Sequence, residues 1–353
     1  MISAVFVSYR SAALAERAIA TFRGEARRTG REAEVIVVVN SGDGAERDAL
    51  VPHADRVLLP PRNLGFAGGL NAGIAAARGG TLLLANPDLL FCEGSVAALA
   101  DAAEAGGILA AGPALYADGA RSVLLPPAEE GRPEELVRRA LAADPARAAR
   151  VFRRDARRAA VQAERAAAGE SAAVRALSGA LVAVTRAALE AVGPFDEAYP
   201  LYYEENDWQR RLLVCGGRLV HVGGAHVVHL FAQSTKTEPR VAAWFEESEQ
   251  RYYAKHFGEA GRRGPPRLAS CAPFEAPPLP VADRLSWDAP ALAAVAISPF
   301  RHFRPFALAL VPPGERRWTP PADLVAAHAG EALFVRAFAR ATGATLAEAR
   351  LAG

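Results

Sequence analysis

The chain has few cysteines, no long uncharged apolar run and almost no net charge. Its three cysteines, Cys92, Cys215 and Cys271, are odd in number and far apart; they show no metal-like pairing and favour a reducing compartment. The most apolar window, residues 96–116, contains two carboxylates and several glycines, so we do not expect it to span a bilayer. Lys and Arg number 41 against 39 Asp and Glu, a net charge of +2, so no strong overall field would recruit nucleic acid.

The beginning of the sequence also lacks a targeting pattern. It enters an apolar, strand-like run at residue 2, with no basic region followed by a longer apolar stretch, which predicts no signal peptide. Hydrophobic residues at 51% and charged residues at 23% are globular values. We therefore expect a soluble cytoplasmic protein of one large or two modest domains. Peripheral contact with the inner face of a membrane and a homodimer are both compatible with this composition.

Short apolar runs alternate with helical stretches in the first 90 residues. The four runs cover residues 4–9, 34–39, 56–59 and 81–85. Strands without polar alternation, separated by helices, predict an α/β fold with a mostly parallel central sheet covered by helices on both faces. Ligands of such sheets lie at the carboxyl ends of the strands. The segments at those ends are polar: residues 8–10, 40–43, 62–63 and 86–88.

The first strand is not followed by a glycine-rich turn. Residues 65–69, Gly-Phe-Ala-Gly-Gly, do not have the G-x-G-x-x-G spacing. These absences argue against a dinucleotide-binding dehydrogenase and a P-loop nucleotidase. They also leave a sugar-phosphate nucleotidyltransferase, which would need a glycine-rich basic loop at this point, as a distant alternative.

Residues 202–208, Tyr-Tyr-Glu-Glu-Asn-Asp-Trp, hold three carboxylates within four positions. On a helix beginning near Glu204, Asp207 and Arg211 share a stripe with it, whereas Glu205 points about 100° away. Asp207 and Arg211 are four apart and can pair. Glu205 is then left to face a cleft. An ordinary helix start, whose dipole favours acidic residues, explains the same pattern.

The remaining sequence predicts further elements and a change of character near Gly258. Residues from about 131 to 169 are mostly helix formers and predict an exposed helical excursion or a mobile lid. We expect sheet strands at 180–184, 218–222 and 226–230, the last two separated by Gly223 and Gly224. The predicted domains are a catalytic domain at 1–258, a proline-rich linker at 259–286 and an accessory unit of unknown role at 287–353, in which residues 334–339 fit a strand or a helix.

Several stretches together resemble the family-2 glycosyltransferases, in particular their rhamnosyltransferase-like branch. Residues 63–73, Asn-Leu-Gly-Phe-Ala-Gly-Gly-Leu-Asn-Ala-Gly, are similar to its NxGFAGGxNxG signature. Residues 84–88, 177–180, 193–197 and 203–207 resemble later blocks in the same order. His229 with Ser234 is similar to the closing H-x(4)-S, and residues 252–257 to the terminal helix. The resemblance extends over roughly residues 3–258 and implies a GT-A type nucleotide-diphospho-sugar transferase fold.

The resemblance also implies roles for particular residues. Glu205 takes the position of the general base, with Asp207 and Arg211 beside it; the helix start is expected to keep Glu205 ionised at neutral pH. Asp88 and His229 would hold Mn²⁺ or Mg²⁺ against the diphosphate. The nucleotide-sugar would be bound by residues from the strand ends and the glycine block: Ser8, Tyr9, Arg10, Asn40, Asn63, Gly65, Phe66, Gly69, Asn71 and Asn86.

Two positions depart from the pattern of this branch. Val39-Asn40 stands where the branch has Asp-Asn, which keeps the amide but loses the neighbouring acid. Glu204-Glu205 stands where the branch has Glu-Asp, which moves the expected base one bond further from the backbone.

The predicted activity is that of an inverting, metal-dependent glycosyltransferase of the hexosyltransferase class. The donor is expected to be a nucleotide-diphospho-sugar, deoxythymidine-diphospho-rhamnose by resemblance to the branch, and the acceptor a glycan or lipid-linked glycan of cell-surface polysaccharide biosynthesis. No nucleic-acid partner is expected. The alternative is a catalytically silent module that binds nucleotide-sugar or glycan within an assembly system.

Overall fold

The structure, a computed structural model, describes residues 1–126, 128–230, 240–262 and 278–351. The chain divides into two compact units. The first comprises Met1–Ala114, Ala128–Gly131 and Gly169–Arg262, and the second Leu115–Pro127, Arg132–Ala168 and Arg263–Gly353. The predicted helical excursion and the C-terminal residues therefore belong to one unit.

The elements alternate between strand and helix in the N-terminal part, as the sequence predicts. The strands, in chain order, are β1 (Ile2–Ser8), β2 (Ala33–Val39), β3 (Arg56–Leu58), β4 (Thr81–Ala85), β5 (Leu89–Phe91), β6 (Leu109–Tyr116), β7 (Val123–Leu124), β8 (Ala172–Val174), β9 (Leu181–Thr185), β10 (Arg218–His229), β11 (Val281–Ala282), β12 (Leu285–Ser286), β13 (Ala293–Ser298), β14 (Ala307–Leu310), β15 (Arg317–Trp318), β16 (Phe334–Ala339) and β17 (Thr345–Leu351).

The helices are amphipathic or apolar segments that cover the strands. In chain order they are α1 (Ala12–Arg28), α2 (Gly44–Leu50), α3 (Gly65–Ala76), α4 (Ser95–Ala103), α5 (Pro133–Ala143), α6 (Pro145–Ala167), α7 (Arg186–Val192), α8 (Glu204–Val214), α9 (Val241–Arg262, kinked at Gly258) and α10 (Ala322–Ala327). None of the described helices is long and apolar enough to cross a bilayer.

The first unit is built on a mixed, largely parallel sheet. Its strand order is β3-β2-β1-β4-β9-β6, and the pairs among β3, β2, β1 and β4 are parallel. β9 pairs with β4 in antiparallel orientation. β1 and β4 are buried along their whole length, so the sheet is covered on both faces and the predicted α/β fold is confirmed.

β10 corrects one expectation. Residues 218–222 and 226–230 were expected to be two strands, but a single strand runs from Arg218 to His229 through both glycines. Its first part pairs with β8 and its last part with β5. A Cβ on Gly223 would lie 2.4 Å from the backbone oxygen of Glu170. The glycines therefore permit a close backbone approach where the strand changes partners, and they do not end it.

In the second unit the strands follow the order β11-β17-β16-β13-β14-β7. Residues 334–339 form the strand β16, paired antiparallel with β13, so the helical alternative for this segment is wrong. The predicted helices at about 131–169 are present as α5 and α6. One face of α6 is buried in an apolar cluster of this unit, so α6 is not solvated all round. The predicted linker lies mostly at residues 263–277, outside the described residues.

Candidate active site

A cavity of about 580 Å³ opens in the first unit where β1, β2 and β4 end. The residues that directly follow these strands and line the cavity are Tyr9, Asn40, Asn86 and Asp88. The starts of α3, α8 and α9, the end of β10 and the segments 178–180 and 197–202 also contribute to its wall. The predicted site residues that the cavity brings together are Tyr9, Asn40, Asn63, Gly65, Phe66, Asn86, Asp88, Glu205 and His229.

The side chain of Asn40 stabilises the loop that leads into α3. Its side-chain amide donates to the carbonyl oxygen of Gly65 at 2.8 Å and accepts from the backbone N–H of Leu64 at 2.9 Å. The side-chain oxygen of Asn63 accepts from the N–H of Gly65 at 2.8 Å. Gly65 has a φ of +72°, which a larger residue rarely adopts. Asn40 therefore shapes the cavity wall by holding this turn.

The glycines of the 63–73 block serve close packing. A Cβ on Gly69 would lie 2.8 Å from a methyl carbon of Val7, and one on Gly73 would lie 2.3 Å from Val5. α3 thus lies nearer to β1 than any side chain would permit. Gly69 does not line the cavity; it sets the position of the helix whose first turn does.

Asn71 connects α3 to the Gly-Pro-Phe-Asp turn and does not line the cavity. Its side chain donates to the carbonyl oxygen of Phe195 at 2.9 Å and to the carboxylate of Glu197 at 2.8 Å, and it accepts from the N–H of Phe195 at 3.0 Å. Two sequence blocks more than 120 residues apart are joined through this amide, so Asn71 has its bonding capacity largely used within the protein.

Ser8 and Arg10 do not line the cavity either. The Ser8 hydroxyl donates to Glu46 at 2.6 Å, and the backbone N–H groups of Arg10 and Ser11 donate to the same carboxylate at 3.0 and 2.9 Å. Sequence reasoning missed Glu46. The signal was the Asp43-x-x-Glu46 pattern of a capping box: Asp43 does cap α2, but Glu46 instead holds the turn after β1.

Asp88 and His229 lie together at the cavity floor. The Asp88 side chain is 1% exposed, and the Nε2 atom of His229 is 3.2 Å from its Oδ1. Neither Asp88 oxygen accepts a hydrogen bond within the described part of the chain. A buried carboxylate is costly unless a cation or a charged partner balances it, and His229 is the nearest such group in the described residues. Within the same described residues no group of three or more His, Cys, Asp or Glu side chains is gathered for a metal, so these residues offer a cation only Asp88 and His229, and oxygens of a bound ligand would have to complete its shell.

Glu205 enters the cavity from the first turn of α8. The turn is entered through two left-handed residues, Tyr202 (φ +68°) and Tyr203 (φ +66°). A Cβ on Gly179 would lie 2.9 Å from the Cγ of Glu205, so only glycine at this position leaves room for the glutamate. The Oε2 atom of Glu205 is buried and has no hydrogen-bond partner in the described residues. Glu205 is also among the residues that line the cavity.

The two neighbouring glutamates titrate together. Burial, followed by repulsion from Glu205, raises the pKa of Glu204 well above its usual value. Burial also raises the pKa of Glu205, and the backbone N–H groups of the helix start oppose this only in part. Burial thus raises the pKa of Glu205 more than the helix start lowers it, because desolvation outweighs the helix dipole. The raised pKa makes Glu205 a stronger proton acceptor once it is ionised.

Asp207 is fully buried, outside the cavity, among three basic side chains. Arg211 lies 3.0 Å from it, Lys255 2.7 Å and His256 2.8 Å. Burial alone would raise the pKa of Asp207, but the hydrogen bonds from these three residues hold it far below the usual value. The predicted pairing of Asp207 with Arg211 is confirmed.

The same cluster joins the later sequence blocks into one scaffold. Lys255 of α9 also binds Asp196 at 2.7 Å. Arg211 donates to the carbonyl oxygens of Val192 and Pro194 at 2.8 and 2.7 Å. The Gly-Pro-Phe-Asp turn, α8 and α9 are thus fixed to one another, and the first turn of α8 is held in place.

Sequence reasoning missed further residues that line the cavity. They include Ser178, Glu197, Tyr199, Glu204, Arg240 and Trp244. Glu204 was assigned to the Asp207 stripe, yet it lines the cavity with a buried Oε2 that lacks a partner in the described residues. Its position directly before Glu205 was the available signal. Ser234, the other half of the H-x(4)-S pattern, lies outside the described residues.

Comparison with known proteins finds a similarity to one glycosyltransferase family. Residues 3–159 match the model of glycosyl transferase family 2. A comparison with curated proteins finds no significant match. The later blocks, from residue 177 onward, lie beyond the matched range. The topology of the first unit and this match agree with the GT-A type fold expected from the sequence.

Three solved structures are similar to 72% of this chain at low identity. They are GalNAc-T7 with UDP, GalNAc and Mn²⁺ (13% identity, TM-score 0.49), a mannosyltransferase from Pyrobaculum calidifontis with GDP-Man and Mn²⁺ (16%, 0.47) and S. aureus TarS 1-349 (12%, 0.43). The similar regions cover 51%, 63% and 64% of those chains, respectively, so this chain spans about half to two thirds of their lengths. The match to the glycosyl transferase family 2 model covers residues 3–159, which is less than half of the chain.

Proposed function

We propose that this protein is an inverting, metal-dependent glycosyltransferase that uses a nucleotide-diphospho-sugar. One observation carries the proposal: a single cavity brings together Asp88, whose buried oxygens lie beside His229 and accept no hydrogen bond in the described residues, and Glu205, whose buried Oε2 has no partner there. The first suits a cation that neutralises a diphosphate, and the second suits a hydroxyl that must lose a proton. Sugar transfer needs both functions in one place.

Asp88 and His229 would hold the cation. A hard carboxylate beside an imidazole, with phosphate oxygens completing the shell, suits Mn²⁺ or Mg²⁺. A divalent ion bound there supplies positive charge against the leaving diphosphate. Tyr9, Asn63 and Asn86 line the same cavity and would contact the nucleotide-sugar. The other predicted residues would act indirectly, by holding the backbone around the cavity in place: Ser8, Arg10, Asn40, Gly69 and Asn71.

Glu205 would act as the general base. The acceptor hydroxyl gives its proton to Oε2 while its oxygen bonds to the anomeric carbon, and the bond from that carbon to the diphosphate breaks with both electrons leaving on the nucleoside diphosphate. Attack opposite the leaving group inverts the anomeric centre. Asp207 and Arg211, outside the cavity, would position the first turn of α8 and would not touch the substrate.

Rhamnose is the donor sugar that we propose, from the resemblance of the sequence blocks to the rhamnosyltransferase-like branch. The proposed acceptor is a glycan or lipid-linked glycan of a cell-surface polysaccharide. A cytoplasmic location with peripheral contact to the membrane suits such an acceptor, and a homodimer belongs to the same proposal. We also propose that residues 1–258 contain the whole active site, with 287–353 as an accessory unit.

A donor screen tests the proposal. The full-length chain is incubated with a panel of nucleotide-diphospho-sugars, with Mn²⁺, Mg²⁺ or a chelator, and release of nucleoside diphosphate is followed. We expect metal-dependent turnover of one donor, and thymidine-diphospho-rhamnose first. Metal-dependent binding of a donor without any turnover, with glycans and lipid-linked glycans supplied as acceptors, would instead identify a catalytically silent binding module.

A further inference from the structure

We propose that the exposed arginine face of α6 binds the anionic headgroups of a phospholipid membrane. This face, defined by Arg150, Arg154 and Arg158, belongs to the second unit and lines a broad cavity of about 1900 Å³ in that unit. The inference names a surface for the proposed peripheral contact and does not depend on the transfer reaction.

α6 is strongly basic although the chain is nearly neutral. Against the overall charge of +2, it carries the following arginines: Arg147, Arg150, Arg153, Arg154, Arg157, Arg158 and Arg165. Its two acidic residues are already engaged, Asp155 by Arg304 and Glu164 by Arg340. Arg150, Arg154 and Arg158 recur every four residues, are exposed, and have no ion-pair partner in the described part of the chain. Side chains at this spacing lie on one face of a helix, so they form an unneutralised stripe.

The opposite face of α6 fixes the direction in which this stripe points. The ring of Phe152 packs against Phe303, Phe306 and Phe338 at centroid distances of 5.6, 5.7 and 5.6 Å. The Arg336 guanidinium lies 4.2 Å from the centre of the Phe152 ring. A helix packed in this way cannot roll to hide its arginines against its own unit.

A close backbone contact holds α6 from a second side. A Cβ on Gly343, in the turn between β16 and β17, would lie 2.4 Å from the carbonyl oxygen of Arg153. Gly343 has a φ of +68°. This glycine allows the turn to touch the helix backbone, and together with the aromatic packing it keeps the arginine face directed outward.

Apolar side chains beside the arginines favour a membrane over a soluble polyanion. Val161 is 55% exposed and Leu292 is 54% exposed, and both line the same cavity as the arginine face. A membrane interface takes up exposed apolar groups while its anionic headgroups attract arginine. The phosphate backbone of a nucleic acid offers no such site for aliphatic side chains.

Vesicle flotation tests the proposal on the full-length chain without donor or acceptor. Vesicles of equal parts phosphatidylglycerol and phosphatidylcholine are compared with pure phosphatidylcholine. The parent protein should bind the anionic vesicles only, and salt should weaken this binding because it screens exposed charge. Replacing Arg150→Gln, Arg154→Gln and Arg158→Gln together should weaken binding on the order of 100-fold. Gln keeps helix propensity close to that of Arg, and circular dichroism verifies the fold.

The matched control is the triple variant Arg17→Gln, Arg27→Gln and Arg218→Gln, which removes the same charge from exposed positions of the first unit. It should keep the affinity of the parent. Val161→Ser with Leu292→Ser should weaken vesicle binding several-fold, since it removes exposed apolar area.

Three outcomes would overturn the proposal. The first is equal binding of the parent to both kinds of vesicle. The second is an equal loss of affinity in the two arginine triples. The third is binding of RNA or polyphosphate that depends on the α6 arginines but not on the apolar pair, which would assign the face to a soluble polyanion. Because the assay contains no sugar donor, failure of the membrane proposal would not bear on the proposed transfer reaction. The donor screen tests that reaction separately.

Discussion

Replacement of Glu205 by Gln removes the proposed base with little change of shape. The Oε2 atom of Glu205 is buried and has no partner in the described residues, so the amide loses no hydrogen bond at that atom. A positioned base contributes about 10²–10⁴-fold to turnover, equivalent to about 2.7–5.4 kcal/mol of barrier. We expect a fall in kcat of that size, with donor affinity unchanged because the base acts on the acceptor. Release of nucleoside diphosphate measures kcat, and thermal melting verifies the fold.

Glu204→Gln is the matched control, since it changes the neighbouring carboxyl of the same cavity. Burial raises the pKa values of both glutamates, and repulsion from Glu205 raises that of Glu204 further. Activity of the parent should therefore decline, as pH falls, already above the usual glutamate pKa of about 4.3. Glu204 releases its proton at higher pH than Glu205, because it feels the Glu205 charge, so it is neutral while Glu205 ionises. The control should therefore keep turnover and leave the acid limb of the pH profile in place.

Two results would contradict these roles. If turnover survives Glu205→Gln but collapses in a well-folded Asp207→Asn, the two acids have exchanged roles. An acid limb that moves in Glu204→Gln would show that Glu204 is charged while Glu205 titrates.

Four further predictions concern metal binding, packing and stability. Asp88→Ala should abolish metal-dependent nucleotide binding without lowering the melting temperature; equal affinity with Mn²⁺ in variant and parent would refute this. Gly69→Ala should cost about 1–3 kcal/mol by urea unfolding, because its Cβ meets Val7 at 2.8 Å; an unchanged midpoint would contradict the close packing. Asp207→Asn should cost about 1.5–3 kcal/mol, since it weakens the charge-assisted hydrogen bonds from Arg211, Lys255 and His256; the same urea assay checks it. Truncation after residue 258 should give insoluble protein, because it uncovers the apolar face of α6, and a soluble, donor-binding fragment would contradict this.

The raised pKa values also predict how stability depends on pH. A carboxyl whose pKa is higher in the folded state binds its proton more tightly there, so it stabilises the fold below the unfolded pKa of about 4.3. That contribution is lost as pH rises through the raised pKa. Glu204→Gln should therefore melt at a higher temperature than the parent at neutral pH, and the difference should vanish near pH 4. A difference that stays constant with pH would contradict burial of the charge.

The local sequence pattern was sufficient to predict the sheet and part of the site. The apolar runs at residues 4–9, 34–39 and 81–85 are long and uninterrupted, and the rule that ligands lie at strand ends brought Tyr9, Asn40 and Asp88 to one cavity. These predictions depend only on neighbours in sequence, and they agree with the structure.

The misassigned residues depend on contacts between distant parts of the chain. Asn71 was expected to bind the nucleotide-sugar, but its amide is used by Phe195, which is 124 residues away. The ionisation of Glu205 was judged from the helix dipole alone. Its burial depends on how Gly179 and the cavity wall close around it, and no local pattern contains that information.

The glycine pair in β10 shows a similar limit. Gly223 and Gly224 resemble a turn in the sequence, yet the strand continues because Gly223 faces the backbone of Glu170. The sequence does not distinguish a glycine that ends a strand from one that permits a close approach between two backbones. Only the position of the partner strand distinguishes them.

The most direct test of the central claim is donor turnover at this cavity. The full-length protein and its Asp88→Ala variant are each given the donor panel with Mn²⁺, and nucleoside diphosphate release is measured for every donor. The account predicts turnover of one nucleotide-diphospho-sugar by the parent, none with a chelator and none by the variant. Turnover that is the same in parent and variant, or indifferent to the chelator, would contradict it.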